Sequence, residues 1–235
     1  MKKIAIVTGA SRGIGLSISK MLLSLDFKVY GICRYPEKCN FNHQDFHLYK
    51  GDLRESKTIP LFLDQIPTKQ NITLLVNNAG IAYFSPIEEL SSEKINEMVQ
   101  VNLTTPMILT QSLTRVLKEN SGRIIFIGSV SGEEISPWGN VYGSLKAGIH
   151  HFARLLFDEL RKLSVKVHLI IPDITKTEFY DHLNIEPDTD PKSYLLPDQI
   201  TNIIKNLLLD QSGLVIPEIV VKPEIFKLKR KKFQK

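Results

Sequence analysis

Tyr142 and Lys146 stand four residues apart in VYGSLKAG, a stretch whose pattern predicts a helix. One helical turn puts both side chains on the same side. An ammonium held near a phenol favours the phenolate and pulls the tyrosine pKa down from about 10. Tyr142 is then a candidate proton donor near neutral pH. On this stretch alone the plainer reading is favoured, an exposed amphipathic helix carrying an ordinary Tyr and Lys.

A second chemical feature is TGASRGIG, which follows the first apolar run. Gly9, Gly13 and Gly15, with Ser11, Arg12 and Ile14 between them, open a predicted helix. Glycines there permit a tight turn and let a phosphate approach backbone N–H groups at a positive helix end. The position after strand one favours dinucleotide binding over plain packing. The second strand ends in GICRYPEK, with Arg34 and no acid. An acid there suits the ribose 2′-hydroxyl of NAD, whereas a basic residue accommodates the 2′-phosphate of NADP. Arg12 and Arg34 can converge on one such phosphate. Either alone is as readily a surface charge; together they predict NADP(H).

Apolar runs of strand length alternate with helical patterns along most of the chain. KIAIVT, KVYGIC, FHLYK, TLLVNN, RIIFIGS, VKVHLII and a short EIVVK are the expected strands. Helices are predicted at about 13–25, through RESKTIPLFLDQI, at about 91–118, at about 141–163 and over PDQITNIIKNLLL. Strands that are apolar throughout imply a sheet covered on both faces. Strict alternation with helices implies parallel strands and right-handed crossovers. The expected fold is α/β, a single-domain doubly wound parallel sheet of the Rossmann kind over residues 1–221. The irregular stretch from about Glu178 to Pro197 is a candidate lid.

The 235 residues carry a net charge of +5, but seven basic residues and one acid lie between Lys222 and Lys235, so the remainder is close to neutral. Residues 222–235 are read as a basic tail, solvated and frayed rather than a site for nucleic acid or anionic lipid. No apolar run approaches the roughly 20 residues that span a bilayer. The first residues read as a strand entering a loop rather than a secretion signal, and two cysteines, Cys33 and Cys39, form no metal or disulfide pattern. A cytoplasmic protein is expected, with no membrane or nucleic-acid partner.

The ordered set of motifs resembles the short-chain dehydrogenases/reductases, from about Lys3 to Thr177. TGASRGIG is similar to the family's cofactor loop, and NNAG at Asn77–Gly80 to its fourth-strand motif. Asn102 in VNLTTP, Ser129 in IGSVSG, and Tyr142 with Lys146 match the catalytic positions, at intervals of 27, 13 and four residues. Ser131 competes with Ser129 but stands only 11 residues from the tyrosine. The resemblance implies that Ser129 polarises a substrate carbonyl and Tyr142 supplies the proton as hydride arrives. Lys146 is implied to lower the tyrosine pKa and hold the nicotinamide ribose, and Asn102 to hold a relay water through an opening in its helix. It places Asp52 and Leu53 at the adenine and Asn78, Ala79 and Gly80 beside the adenosine ribose. Pro172, Ile174 and Thr177 of PDITKT fall at the nicotinamide, where Asp173 replaces the family's usual glycine.

The implied activity is an NADPH-dependent carbonyl reductase or alcohol dehydrogenase acting on a small carbonyl or hydroxy compound. The alternative is a cofactor-binding sensor or scaffold of the same fold. The family also implies a homodimer or homotetramer built through the helices bearing Asn102 and Tyr142. The ending GLVIPEIVVKPEIF resembles, faintly, relatives acting on small hydroxy acids, aldehydes or pterins. No metal is expected, His43 and His47 lying in a loop entering a strand. His150 and His151 are expected at an interface or surface. Trp138, and more weakly Tyr83, are candidates for a pocket wall.

Overall fold

The computed structural model describes residues 2–210 and 212–231. Strands β1 (Ile4–Thr8), β2 (Lys28–Cys33), β3 (Phe46–Lys50), β4 (Ile72–Asn77), β5 (Arg123–Ile127), β6 (Lys166–Pro172) and β8 (Glu218–Val221) form one sheet, in the order β3-β2-β1-β4-β5-β6-β8. Every neighbouring pair in it is parallel. This is the expected doubly wound sheet, and the chain reverses its direction of travel between β1 and β4. A crevice must open there, outside the carboxyl ends of the strands.

The strands are apolar throughout because both faces are buried. In β1, Ile4 and Ile6 pack with Leu109, Leu113 and Leu156 on one face, whereas Ala5 and Val7 pack with Ile18, Leu22 and Ile204 on the other. Helices α2 (Thr58–Asp64), α4 (Thr105–Glu119) and α5 (Asn140–Leu160) cover the first face; α1 (Gly13–Ser24) and α6 (Pro197–Leu209) cover the second. Pro60 lies in the first turn of α2, where its missing N–H has no intrahelical partner to lose, so the helix is shortened rather than bent.

The long helix expected from about Ser91 is interrupted. Helix α3 (Ser92–Val99) passes through a π-helical segment, Gln100–Thr104, before α4 begins. The stretch expected to form a lid contains two 3₁₀ turns, Glu178–Tyr180 and Pro191–Ser193, and a three-residue strand, β7 (Ile185–Pro187).

The basic end departs from expectation. Instead of fraying, Leu228–Arg230 forms β9 and pairs antiparallel with β7. Lys231 N–H donates to Asn184 O at 2.9 Å and Ile225 N–H to Lys192 O at 3.0 Å, fixing both ends of the segment. Two backbone-paired strands with lysines meeting Asp188 and Asp190 outweigh solvation of this short charged stretch. Residues 232–235, the rest of the expected tail, lie outside the described residues.

Candidate active site

The carboxyl ends of the central strands enclose a cavity of about 500 Å³. Gly9, Ser11, Arg12, Gly13, Ile14, Arg34, Asp52, Leu53, Asn78, Ala79, Gly80, Tyr142, Lys146, Pro172, Ile174 and Thr177 all line it. Gly15 sits behind that lining, where only hydrogen fits. A Cβ there lies 2.2 Å from Gly9 O and 2.5 Å from Asn78 Nδ2. Gly13 opens α1 with a φ of +53°, a left-handed angle that glycine adopts without strain. Thr8 Oγ1 accepts from the backbone N–H of Asn78 and Ala79, both at 2.9 Å, which ties the glycine turn to the end of β4.

Arg12 and Arg34 face this end of the cavity, and neither forms a salt bridge among the described residues. Asp52 is committed to Arg54, whose Nη2 lies 2.6 Å from Oδ2. That guanidinium holds the Asp52 carboxyl below the usual carboxylate range. Arg54 also binds Glu97 at 2.6 Å, and Glu97 accepts from the Tyr83 hydroxyl at 2.7 Å. Tyr83 therefore braces this network and is not a cavity wall. Arg54, which lines the cavity, was missed because nothing in RESKT distinguishes it from a surface arginine.

Ser129 and Tyr142 line the same cavity, and the serine hydroxyl lies near enough to the phenol to favour its ionised form. Ser129 follows β5 and accepts from Ser131 N–H at 3.2 Å, so Ser131 supports it through the backbone. Tyr142 and Lys146 are both buried on the inner face of α5. Burial pushes the Tyr142 phenol up to about 12, against the pull of Ser129, and pushes the Lys146 ammonium down to about 8. This overturns the expected depression of Tyr142. Lys146 Nζ stands 5.7 Å from the tyrosine ring centroid and donates to Ile127 O at 3.0 Å, so desolvation outweighs its charge at the phenol.

Asn102 does not line the main cavity. It is buried in the π-helical segment, where Nδ2 donates to Met98 O at 2.9 Å and Ile81 O at 2.8 Å while Oδ1 accepts from Ile81 N–H. The extra residue in that turn frees backbone groups from the regular helical ladder. Gly80 separates Asn102 from Lys146: a Cβ on it lies 3.1 Å from Asn102 Oδ1 and 3.7 Å from Lys146 Nζ.

At the other end, Asp173 replaces glycine without left-handed backbone, since it is absent from the positive-φ residues. Its Oδ1 accepts from Ile174 N–H at 2.7 Å, and burial pushes its carboxyl up. Ile174 O accepts from Leu195 N–H at 2.7 Å, so both backbone groups of Ile174 are engaged within the protein. Thr177 packs its side chain against the Gly13 position, 3.3 Å from where a Cβ would stand.

Two expectations need correction here. His150 is not at a surface: it is fully buried, and its Nε2 accepts from Ser129 N–H at 3.2 Å. Its Nδ1 meets Glu133 Oε1 at 2.8 Å, and Arg154 bridges Glu133 to Glu218 of β8. Eight residues beyond Tyr142, it shares the buried stripe of α5, which its polarity disguised. Trp138 is not part of the cavity lining, although Ser136 and Pro137 beside it are. Its ring is covered by the Arg230 guanidinium, 4.8 Å from the centroid.

The residues fit a dinucleotide. A glycine turn in which Gly15 has no room for a Cβ leads along the strand ends to Ser129 and the buried Tyr142 and Lys146 in the same cavity. The profile described as short chain dehydrogenase matches residues 3–188, and the chain belongs to that family, whose members are oxidoreductases. An uncharacterised oxidoreductase of Staphylococcus epidermidis is 29% identical over 228 residues, covering 94% of this chain and 97% of its own. An NADPH-dependent 1-acyldihydroxyacetone phosphate reductase of Saccharomyces cerevisiae is 30% identical, over 77% of this chain and 63% of its own. The fold is shared with an alcohol dehydrogenase from Thermococcus sibiricus solved with 5-hydroxy-NADP, at a TM-score of 0.86 and 24% identity, covering 99% of this chain and 100% of that one.

Proposed function

We propose that this protein is an NADPH-dependent carbonyl reductase, reversible as an alcohol dehydrogenase. The observation that carries the reading is that Ser129, Tyr142 and Lys146 line the same cavity that the glycine turn opens. When bound, NADPH supplies the hydride to the carbonyl carbon. Ser129 donates to the carbonyl oxygen and orients it. Tyr142, a neutral phenol across the working range because burial lifts it to about 12, gives its proton to that oxygen and leaves an alcohol. The Lys146 ammonium lies on the same side and stabilises the phenolate that forms, an electrostatic contribution made larger by burial. In this reading Asn102, through the opened turn of its helix, holds the water that returns a proton to Tyr142.

The cofactor is NADP(H). Arg12 and Arg34 support the phosphate-bearing form, as does the NADPH dependence of the yeast relative. Association as a homodimer or homotetramer belongs to this reading, through α4 and α5, where Leu155 is exposed.

The test is NADPH consumption with aldehydes, diketones and β-keto esters, wild type beside Tyr142→Phe. The variant should lose roughly 10²–10⁴-fold in turnover while binding NADPH normally. Tight NADPH binding with no turnover on any carbonyl refutes the reductase and leaves the sensor.

A further inference from the structure

The cofactor end of the cavity and its other end differ in chemistry. Arg12, Arg34, Lys38 and Arg54 all belong to the glycine turn or to the segments after β2 and β3. Lys146 is buried with its ammonium on Ile127 O. Among the described residues, the loop after β5, the lid and the chain end contribute no basic side chain to the lining. They contribute apolar ones instead. The ring of Phe179 stands 6.0 Å from that of Tyr142, with Phe84 from the segment after β4 at 5.8 Å, and Ile185 packs in the same cluster. Ile135, Phe226 and Leu228 complete this wall, although Ile135 is fully exposed and Phe226 is 72% exposed. Exposed apolar groups gathered at a cavity mouth mark a surface that a ligand covers.

The chain end reaches this position because its charges are spent on holding it there. Lys227 pairs with Asp190 at 3.2 Å, and Lys231 Nζ donates to the carbonyls of Tyr180 and Asp181. Arg230 lies on Trp138. The β7–β9 pairing sets Leu228 opposite Pro187, so the apolar side chains of the segment are left to the cavity.

We infer that residues 225–231 form the outer wall of the substrate site and that this wall selects uncharged, apolar ketones over short oxo acids. The inference rests on the reductase reading and deepens it. A carboxylate set against Phe84 and Phe179 loses water and finds no cation, which is costly. Glu178 in the lining adds repulsion, and Glu134 there is already paired with Lys222. An aryl or alkyl group placed there covers Phe226 and Leu228 and is driven by burial of apolar area. The faint sequence resemblance to enzymes of small hydroxy acids points the other way.

The experiment compares propiophenone with pyruvate, using the full chain and saturating NADPH. Propiophenone should be preferred in kcat/KM by about tenfold or more. Phe226→Ser with Leu228→Ser should raise the KM for propiophenone by about tenfold while the NADPH dissociation constant is unchanged. Phe226→Arg, at a mostly exposed position that folding tolerates, should move the preference toward pyruvate by a similar factor. Pyruvate reduced as well as propiophenone by wild type, or a double serine variant with unaltered KM and intact NADPH binding, overturns the inference alone. Absence of turnover on every carbonyl overturns the reductase reading, and this inference with it.

Discussion

Lys146→Met should make the protein more stable while removing its turnover. Lys146 is enclosed beside Tyr142, and burial lowers its ammonium from 10.5 to about 8. Between those values the unfolded chain binds more protons than the folded one, so stability rises with pH across that window. At pH 7 the folded protein still holds the charge, at a cost of about 3 kcal/mol. Methionine is of similar length and removes that cost, but it leaves Ile127 O without its donor, which offsets about 1–2 kcal/mol. The expected net gain at pH 7 is therefore about 1–2 kcal/mol. Urea unfolding of wild type and variant, both without cofactor, measures it at pH 7 and at pH 9.5. Because wild-type Lys146 sheds its proton on folding at the higher pH, the variant's relative stability should fall by about 2 kcal/mol between the two conditions. A stability difference that does not change with pH refutes the claim that this buried charge opposes folding.

Two further substitutions probe the ends of the cavity. Arg34→Asp should weaken NADPH by about tenfold or more and NADH far less, as removal of a charge-assisted contact to a 2′-phosphate requires; equal losses by fluorescence titration defeat the assignment. His150→Ala should lower stability by about 1–3 kcal/mol and reduce kcat, because Ser129 N–H loses its buried acceptor. Burial lowers the His150 pKa, so the unfolded chain binds the extra proton first and this histidine makes stability fall as pH drops below its ordinary value near 6.5. In the variant that part of the acid dependence, followed by thermal unfolding, should disappear.

Local patterns carried most of the fold. Both faces of the sheet are covered, so its strands are written as continuous apolar runs, and a strand followed by a glycine turn and a helix is a short-range arrangement. Tyr142 and Lys146 share a side of α5 because helical geometry puts them there, and nothing distant can change that. The same logic explains what stayed hidden. His150 lies on that stripe, but a polar residue in a buried stripe is indistinguishable from one on a surface until Ser129 and Glu133 are brought to it. Arg54 and Asp52 are near neighbours, yet their partner Glu97 lies on α3, far along the chain.

The sequence by itself determined the alternation of strands and helices, the glycine turn and the order of the polar residues that face it. It could do so because each depends on backbone geometry within a few residues. Only the tertiary structure decided the state of Tyr142 and Lys146, since burial, set by the whole fold, overrides the charge between neighbours. It also decided the fate of the basic chain end. A three-residue strand has too short an alternation to read, and its charges signal solvent until β7, Asp188, Asp190 and Trp138 are folded into reach.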